Sequence, residues 1–246
     1  MATLAIIGGT GLTHIEGLNI VDQHQLETPY GQPSAPIISG ELAGKPVLFL
    51  PRHGVNHTIP PHKINYRANL WALHHLGAEQ IIAVAAVGGI RNDMVPGVLV
   101  LPNQIIDYTY GREQSFFTDA FSADRHIDFT FPYDRALRQK LKGIATQAAV
   151  LILDGGTYGA TQGPRLETAA EIKRMAQDGC AIVGMTGMPE ACLARELNVP
   201  YVTCAVVANW AAGLGDELIN MADIEQNLST SMEQVKKLLA QFIRMG

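Results

Sequence analysis

Short runs rich in Ile, Val and Leu recur along the chain at residues 4–7, 46–51, 80–87, 98–106, 149–153, 181–185 and 201–208. Several are apolar at consecutive positions rather than alternate ones, the pattern of strands covered on both faces. Between and after them, apolar residues return every three or four positions at 64–76, 134–147, 169–177, 189–197 and 223–244, the spacing of one helix face. This alternation predicts an α/β fold, a mixed, partly parallel sheet flanked by helices. No Pro/Gly/Ser linker, charge block, low-complexity tract or internal repeat breaks the pattern, so residues 1–246 are expected to form a single domain.

Composition narrows the function classes. With 47% hydrophobic and 17% charged residues, the 246-residue chain can bury a covered sheet. A net charge of -5 offers no basic footprint for nucleic acid, which is excluded as an expected partner. Residues 1–7 are apolar but lack a basic flank and run into glycines, so they read as a first strand rather than a signal peptide. No apolar run reaches membrane-spanning length. Cys180, Cys192 and Cys204 are odd in number, lie in apolar segments and lack C-x-x-C spacing, which predicts reduced core thiols and a cytoplasmic protein. Neither zinc-ligand spacing nor an acidic cation loop is present, so no metal or organic cofactor is expected. A Ser-His-Asp arrangement with a nucleophile elbow is missing too.

In open α/β sheets, binding residues collect where strands end. Gly8-Gly9-Thr10-Gly11 follows the first predicted strand, Arg52-His53-Gly54 the second and Gly88-Gly89 the third; Thr186 and Asn209 follow the last two. The first glycine cluster is not a dinucleotide fingerprint, because His14 stands where a third glycine belongs, and no Lys-Ser or Lys-Thr makes it a Walker loop. It remains either a plain tight turn or a turn whose backbone N–H groups and Thr10 hydroxyl receive a small anion. Arg52 and His53 fit a surface cation and a satisfied core ring, or a pair that orients phosphate. Thr186, just before Pro189 opens a helix, adds a hydroxyl near a helix N-terminus. Three anion-suited exits together point to inorganic phosphate. His62, His74 and His75 fall on or near a helix and read as structural.

Glu167 and Asn209 point to the second ligand. A 6-oxopurine carries hydrogen on N1 and an acceptor at O6, whereas adenine presents the reverse. An ionised Glu only accepts hydrogen bonds and an Asn amide can donate to O6 or N7, so the pair matches the oxopurine class. Taken alone, Glu167 also fits a solvated charge at a helix start, where Thr168 and Glu171 form a capping box.

These segments resemble the trimeric purine nucleoside phosphorylase and methylthioadenosine phosphorylase family over nearly the whole chain. The likeness runs through Gly8-Gly9-Thr10-Gly11-Leu12, Pro51-Arg52-His53-Gly54, His57-Thr58-Ile59, Asn65-Tyr66-Arg67-Ala68-Asn69 and Trp71-Ala72-Leu73. The resemblance implies a homotrimer in which Thr10, Arg52, His53, the backbone of Ala86 and Thr186 hold phosphate. It sets Leu166, Glu167, Met185, Asn209 and Ala211 around purine and sugar, with Met185 on the ribose and His126 reaching in from a neighbouring subunit. The chain departs from the adenine-specific branch, which has two Asp where Asn209 and Ala211 stand and Ser where Glu167 stands. It also places Ala222, among apolar Leu218, Ile219 and Met221, where oxopurine enzymes put a His against the 5'-hydroxyl. Such a lining favours a methylthio group over a hydroxyl. Ala85 replaces a hydroxyl residue common in the family near phosphate and ribose.

Together these readings predict phosphorolysis of S-methyl-5'-thioinosine to hypoxanthine and 5-methylthioribose 1-phosphate, with phosphate as co-substrate, Asn209 and Glu167 handling the leaving base and Ala222 setting the 5' preference. An inosine/guanosine phosphorylase, a methylthioadenosine phosphorylase and a silent purine-nucleoside binding protein are the alternatives.

Overall fold

The computed structural model describes residues 3–12, 15, 17–119, 121–215 and 219–245. His14 and Leu218, singled out above, lie outside them. Among the described residues, eleven strands join one sheet: β1 (Leu4–Gly8), β2 (Asn19–His24), β3 (Ile37–Leu42), β4 (Lys45–Pro51), β5 (Gln80–Gly89), β6 (Leu99–Leu101), β7 (Gln104–Asp107), β8 (Ile152–Asp154), β9 (Thr157–Ala160), β10 (Cys180–Gly184) and β11 (Tyr201–Trp210). The helices are α1 (Tyr66–His75), α2 (Arg135–Gln147), α3 (Ala169–Gln177), α4 (Gly187–Glu196) and α5 (Met221–Met245). The predicted mixed α/β architecture is the one observed.

Side-chain caps place three of the helix starts. Asn65 accepts from Ala68 N and Asp134 from Leu137 N, while Thr168 and Glu171 form the reciprocal box expected from sequence. Each such cap contributes about 1 kcal/mol. Successive positions along β1, β4 and β5 feed opposite faces. Ala5, Ile7, Leu50, Ile81 and Ala83 pack with α1 and α4 on one side. Leu4, Ile6, Phe49, Ile82 and Val84 pack with α2 and α5 on the other. All three cysteines are buried and unpaired, and burial pushes the Cys192 and Cys204 thiols up to about 12.

The predicted strand at 98–106 divides at Pro102-Asn103: β6 pairs with β11 and β8, whereas β7 pairs with β9. Proline has no N–H for a ladder, so the break falls there. Three strands were not predicted. β2 is an exposed edge of mostly polar residues, β3 is interrupted by Ser39-Gly40-Glu41, and β9 is only four residues long.

β5 organises the centre. Along one edge it pairs in parallel with β11 from Ile81 to Gly89. The other edge is divided. β1 runs parallel to it as far as Ile7 opposite Ala83, and β10 runs antiparallel, with Ile182 opposite Gly89 and Val183 opposite Gly88. The carboxyl ends of β1 and β10 therefore meet head-on, leaving a gap beside Val84–Val87 into which both chains must turn.

Candidate active site

That gap opens into a cavity of about 420 Å³, a size that suits a small-molecule ligand. One wall is the turn after β1. A Cβ on Gly9 would lie 2.5 Å from the Val84 carbonyl and 3.0 Å from Arg52 Nη1, so only glycine lets the backbone pass this close. Thr10, Arg52, His53, Ala86 and Thr186, the five residues expected to receive phosphate, all line the cavity. Strand geometry sends the N–H of Ala86 to the same edge as the Val84 carbonyl, into the gap. Thr186 precedes α4 and its hydroxyl makes no cap bond; Met188 is extended (φ -121°, ψ 140°), so regular helix begins at Pro189 as anticipated.

Arg52 is 1% exposed, and its fork is held on three sides. Nε and Nη2 donate to the Glu190 carboxylate at 2.7 and 2.8 Å, and Nη1 donates to Val84 O at 2.9 Å. Burial alone would lower the Arg52 pKa, but the Glu190 charge and hydrogen bonds outweigh it and raise it above its ordinary value. Tyr201 also donates to Glu190, at 3.0 Å. Arg52 is thus a fixed donor with its charge balanced, not a mobile cation.

His53 Nδ1 lies 2.8 Å from the Ile59 carbonyl, which can only accept, so Nδ1 carries the proton and Nε2 is the free acceptor. Burial, then the Arg52 charge, lowers its pKa to about 4. The ring is neutral at pH 7 and can accept from a protonated anion or a hydroxyl. Unfolded, the same ring titrates near 6.5, so between 6.5 and about 4 the unfolded chain binds the extra proton. Stability rises with pH through that window, and His53 contributes roughly 3 kcal/mol of acid sensitivity. His53→Gln should flatten this part of a urea-denaturation profile measured from pH 7 to pH 4; an unchanged slope would contradict the assignment. His57 packs against His53 with the rings tilted by 40° and their centres 4.5 Å apart, and brings Nε2 to 3.5 Å from Thr10 Oγ1. Burial followed by Arg52 lowers its pKa as well.

Glu167 and Asn209, 42 positions apart in sequence, line the same cavity with Leu166, Met185 and Ala211. Glu167 lies one residue before the Thr168 cap, outside α3, and its carboxylate turns back to accept from Thr161 Oγ1 at 2.6 Å. The solvated helix-start alternative therefore gives way to an anchored carboxylate. On β11 the register slips between Val207, opposite Val87, and Asn209, opposite Gly88. Such a bulge re-aims a side chain, and both Ala208 and Asn209 border the cavity. Asn209 Nδ2 donates to Trp210 O at 2.7 Å, which fixes its amide plane.

Two of the named residues do not line this chain's cavity, one of them, His126, being expected from a neighbouring copy. Ala222 is exposed in the first turn of α5 and does not line the cavity; Ile219 and Ile224 do. The expected apolar surroundings include Ile219, which does line the cavity, but the position facing it from the helix is Ile224, two residues beyond Ala222. His126 is exposed and sits edge-on to Phe121 at 4.9 Å, away from this chain's cavity.

Sequence reasoning also passed over side chains that hold the site. Arg112 donates to the carbonyls of Thr161, Gln162, Met185 and Met188 at 2.6–3.2 Å, tying the Glu167 loop to the Thr186 turn. Glu190 and Thr161 had no local motif to mark them, and His57 stood only within the family-like run His57-Thr58-Ile59, with no role assigned to it.

The phosphorylase superfamily model matches residues 3–244. A probable S-methyl-5'-thioinosine phosphorylase from Pseudomonas syringae pv. tomato is 52% identical over 99% of both chains. A probable 6-oxopurine nucleoside phosphorylase from Thermococcus kodakarensis is 41% identical, covering 99% of this chain and 92% of its own. Among solved structures, methylthioadenosine phosphorylase from Schistosoma mansoni in complex with adenine superposes with a TM-score of 0.94 at 30% identity, over 100% of this chain and 92% of that one.

Proposed function

This chain belongs to the phosphorylase superfamily, and from that premise we propose that its cavity catalyses phosphate-dependent cleavage of S-methyl-5'-thioinosine. The observation that carries the reading is one cavity with an anion-suited end and an oxopurine-suited end. Thr10, Arg52, His53, the Ala86 N–H and Thr186 surround the phosphate. Met185 packs against the ribose, and Glu167 and Asn209 meet the base.

A phosphate oxygen attacks C1' while the C1'–N9 bond breaks and its electron pair passes into the purine. The nucleophile's path is set by donors that are already in place, which lowers the barrier by positioning. Negative charge arriving at O6 and N7 is met by the Asn209 amide, and Glu167 accepts N1–H. The proton that hydrogen phosphate gives up on becoming the ester neutralises the purine anion, so the products are hypoxanthine and 5-methylthioribose 1-phosphate. No metal or organic cofactor enters this scheme.

The methylthio preference draws support from Ile219 and Ile224, which give that part of the cavity an apolar lining, and from the names of relatives about 50% identical. The finer assignments of a cytoplasmic homotrimer, with His126 supplied by a neighbouring copy, belong to the same proposal. The neighbouring copy draws support from the exposed Phe121, which sits edge-on to that histidine.

The test is release of the free base, hypoxanthine or adenine, followed with and without phosphate, on S-methyl-5'-thioinosine, inosine and 5'-methylthioadenosine. The expected order places methylthioinosine first, with no release when phosphate is omitted. Faster cleavage of the adenine substrate would overturn the base assignment. Nucleoside binding without turnover would instead make the chain a binding protein.

A further inference from the structure

We propose that Thr161 is a positioning residue that sets the purine selectivity of the cavity, by holding Glu167 as a pure hydrogen-bond acceptor. The inference rests on the oxopurine reading above. A carboxyl group has two recognition states. Ionised, it accepts N1–H of an oxopurine; protonated, it donates to N1 of adenine. Selectivity requires the first state in one orientation.

Thr161 follows β9 and is itself held firmly. Its N–H donates to Gly184 O at 2.8 Å, and its carbonyl accepts from Arg112 Nη2 at 3.2 Å. The hydroxyl has one proton and two acceptors in reach, Glu167 Oε1 at 2.6 Å and Gly184 O at 3.4 Å. The shorter contact to the charged group takes it.

Glu167 borders both the purine cavity and an adjoining cavity of about 390 Å³, whereas Thr161 borders only the latter. The hydroxyl therefore grips the carboxylate from the side away from the base, occupies Oε1 and leaves Oε2 for the ring. Arg165, two residues before Glu167, does not share this task, because its Nη1 and Nη2 donate to Glu171 at 2.8 and 2.7 Å.

Thr161→Val keeps the side-chain shape and removes the hydroxyl. Wild-type and variant proteins are compared by kcat and KM on S-methyl-5'-thioinosine and 5'-methylthioadenosine, with Thr161→Ser as the conservative variant. Loss of one hydrogen bond to a charged group corresponds to about a tenfold to hundredfold change, so the oxopurine-to-adenine ratio of kcat/KM should fall by that factor. The loss on the oxopurine substrate should lie mainly in KM, since the base contact is made before and during bond breaking. Thr161→Ser should restore the ratio, and Thr161→Val in a Glu167→Ala background should change nothing further.

Equal losses on both substrates, or no rescue by Ser, would show a merely structural role and overturn the proposal. If Thr161→Val does not fold, Thr161→Ala is compared with wild type by calorimetric binding of hypoxanthine and adenine, where the same fall in preference is required. A wild-type protein without oxopurine preference defeats the functional reading and this proposal with it. A selective wild type whose selectivity survives the substitution defeats this proposal alone.

Discussion

Glu167→Ser combined with Asn209→Asp should invert the base preference, changing the oxopurine-to-adenine ratio of kcat/KM by about 10³-fold. Ser at 167 offers a donor to the adenine N1, and an Asp at 209 accepts from the 6-amino group where the Asn amide had donated. The wild-type pair has the opposite pattern: a carboxylate fixed by Thr161 and an amide fixed by the Trp210 carbonyl. The magnitude follows from an asymmetry. A mismatched base gains nothing from this edge and leaves buried polar groups unpaired, which costs more than a matched hydrogen bond contributes. Ala211 is left unchanged in the swap because it is only 2% exposed and packs with Ile90, Ile172 and Val183. An Asp there would bury a carboxylate and mix a stability defect with the specificity change. Initial rates on the two methylthio nucleosides at saturating phosphate decide the matter, and a ratio within tenfold of wild type would remove Glu167 and Asn209 from base recognition.

The parts of this arrangement that were legible in the sequence share one property: they follow long apolar strands. β1, β4, β5 and β11 are mutually parallel, so Gly9-Thr10 and Arg52-His53, just beyond their strands, and Gly88 and Asn209, in the last residues of theirs, gather at one end of the sheet, and apolar runs alone locate them. Thr186 reaches the same place for a different reason. β10 is antiparallel to β5, and its exit enters the cavity only because β1 stops short of Val84 on the shared edge. Strand order and register are set by long-range packing, which no local pattern encodes.

The same limit explains what was missed. Thr161 acts on a residue six positions away, but across a loop whose path depends on Arg112, which is 49 positions from Thr161. Ala222 was assigned by alignment through residues that lack a strong pattern. The start of α5 at Met221 turns Ala222 outward while Ile224 faces inward, a difference fixed by helical phase.

The Arg52–Glu190 pair separates stability from chemistry. The two residues stand 138 positions apart and each side chain is 1% exposed, with both carboxylate oxygens engaged by the fork. Glu190→Ala leaves a guanidinium buried without its countercharge. Breaking such a pair from one side costs about 3–5 kcal/mol, so a Tm decrease of roughly 10 °C is expected. Arg52→Ala should cost a similar amount, since it strands Glu190 beside Tyr201, itself a fully covered hydroxyl that needs the carboxylate as acceptor. Replacing both partners with apolar residues of similar volume, Arg52→Met with Glu190→Leu, removes two buried charges together. That double variant should recover part of the lost Tm, because the desolvation cost disappears along with the attraction, while the Tyr201 hydroxyl still lacks its acceptor. Its activity should not recover. Arg52 also lines the end of the cavity proposed to receive phosphate, and with three of the five guanidinium N–H groups committed to Glu190 and Val84, the remaining two are available to an anion. Loss of those donors should raise the KM for phosphate by about 100-fold while the KM for nucleoside changes little, in line with about 1.5–3 kcal/mol for hydrogen bonds to a charged group. Thermal melting and phosphate titration of the double variant thus report different things. A partly restored Tm with a normal phosphate KM would reduce Arg52 to a structural half of an ion pair and would leave Thr10, the Ala86 N–H and Thr186 to hold the phosphate without it.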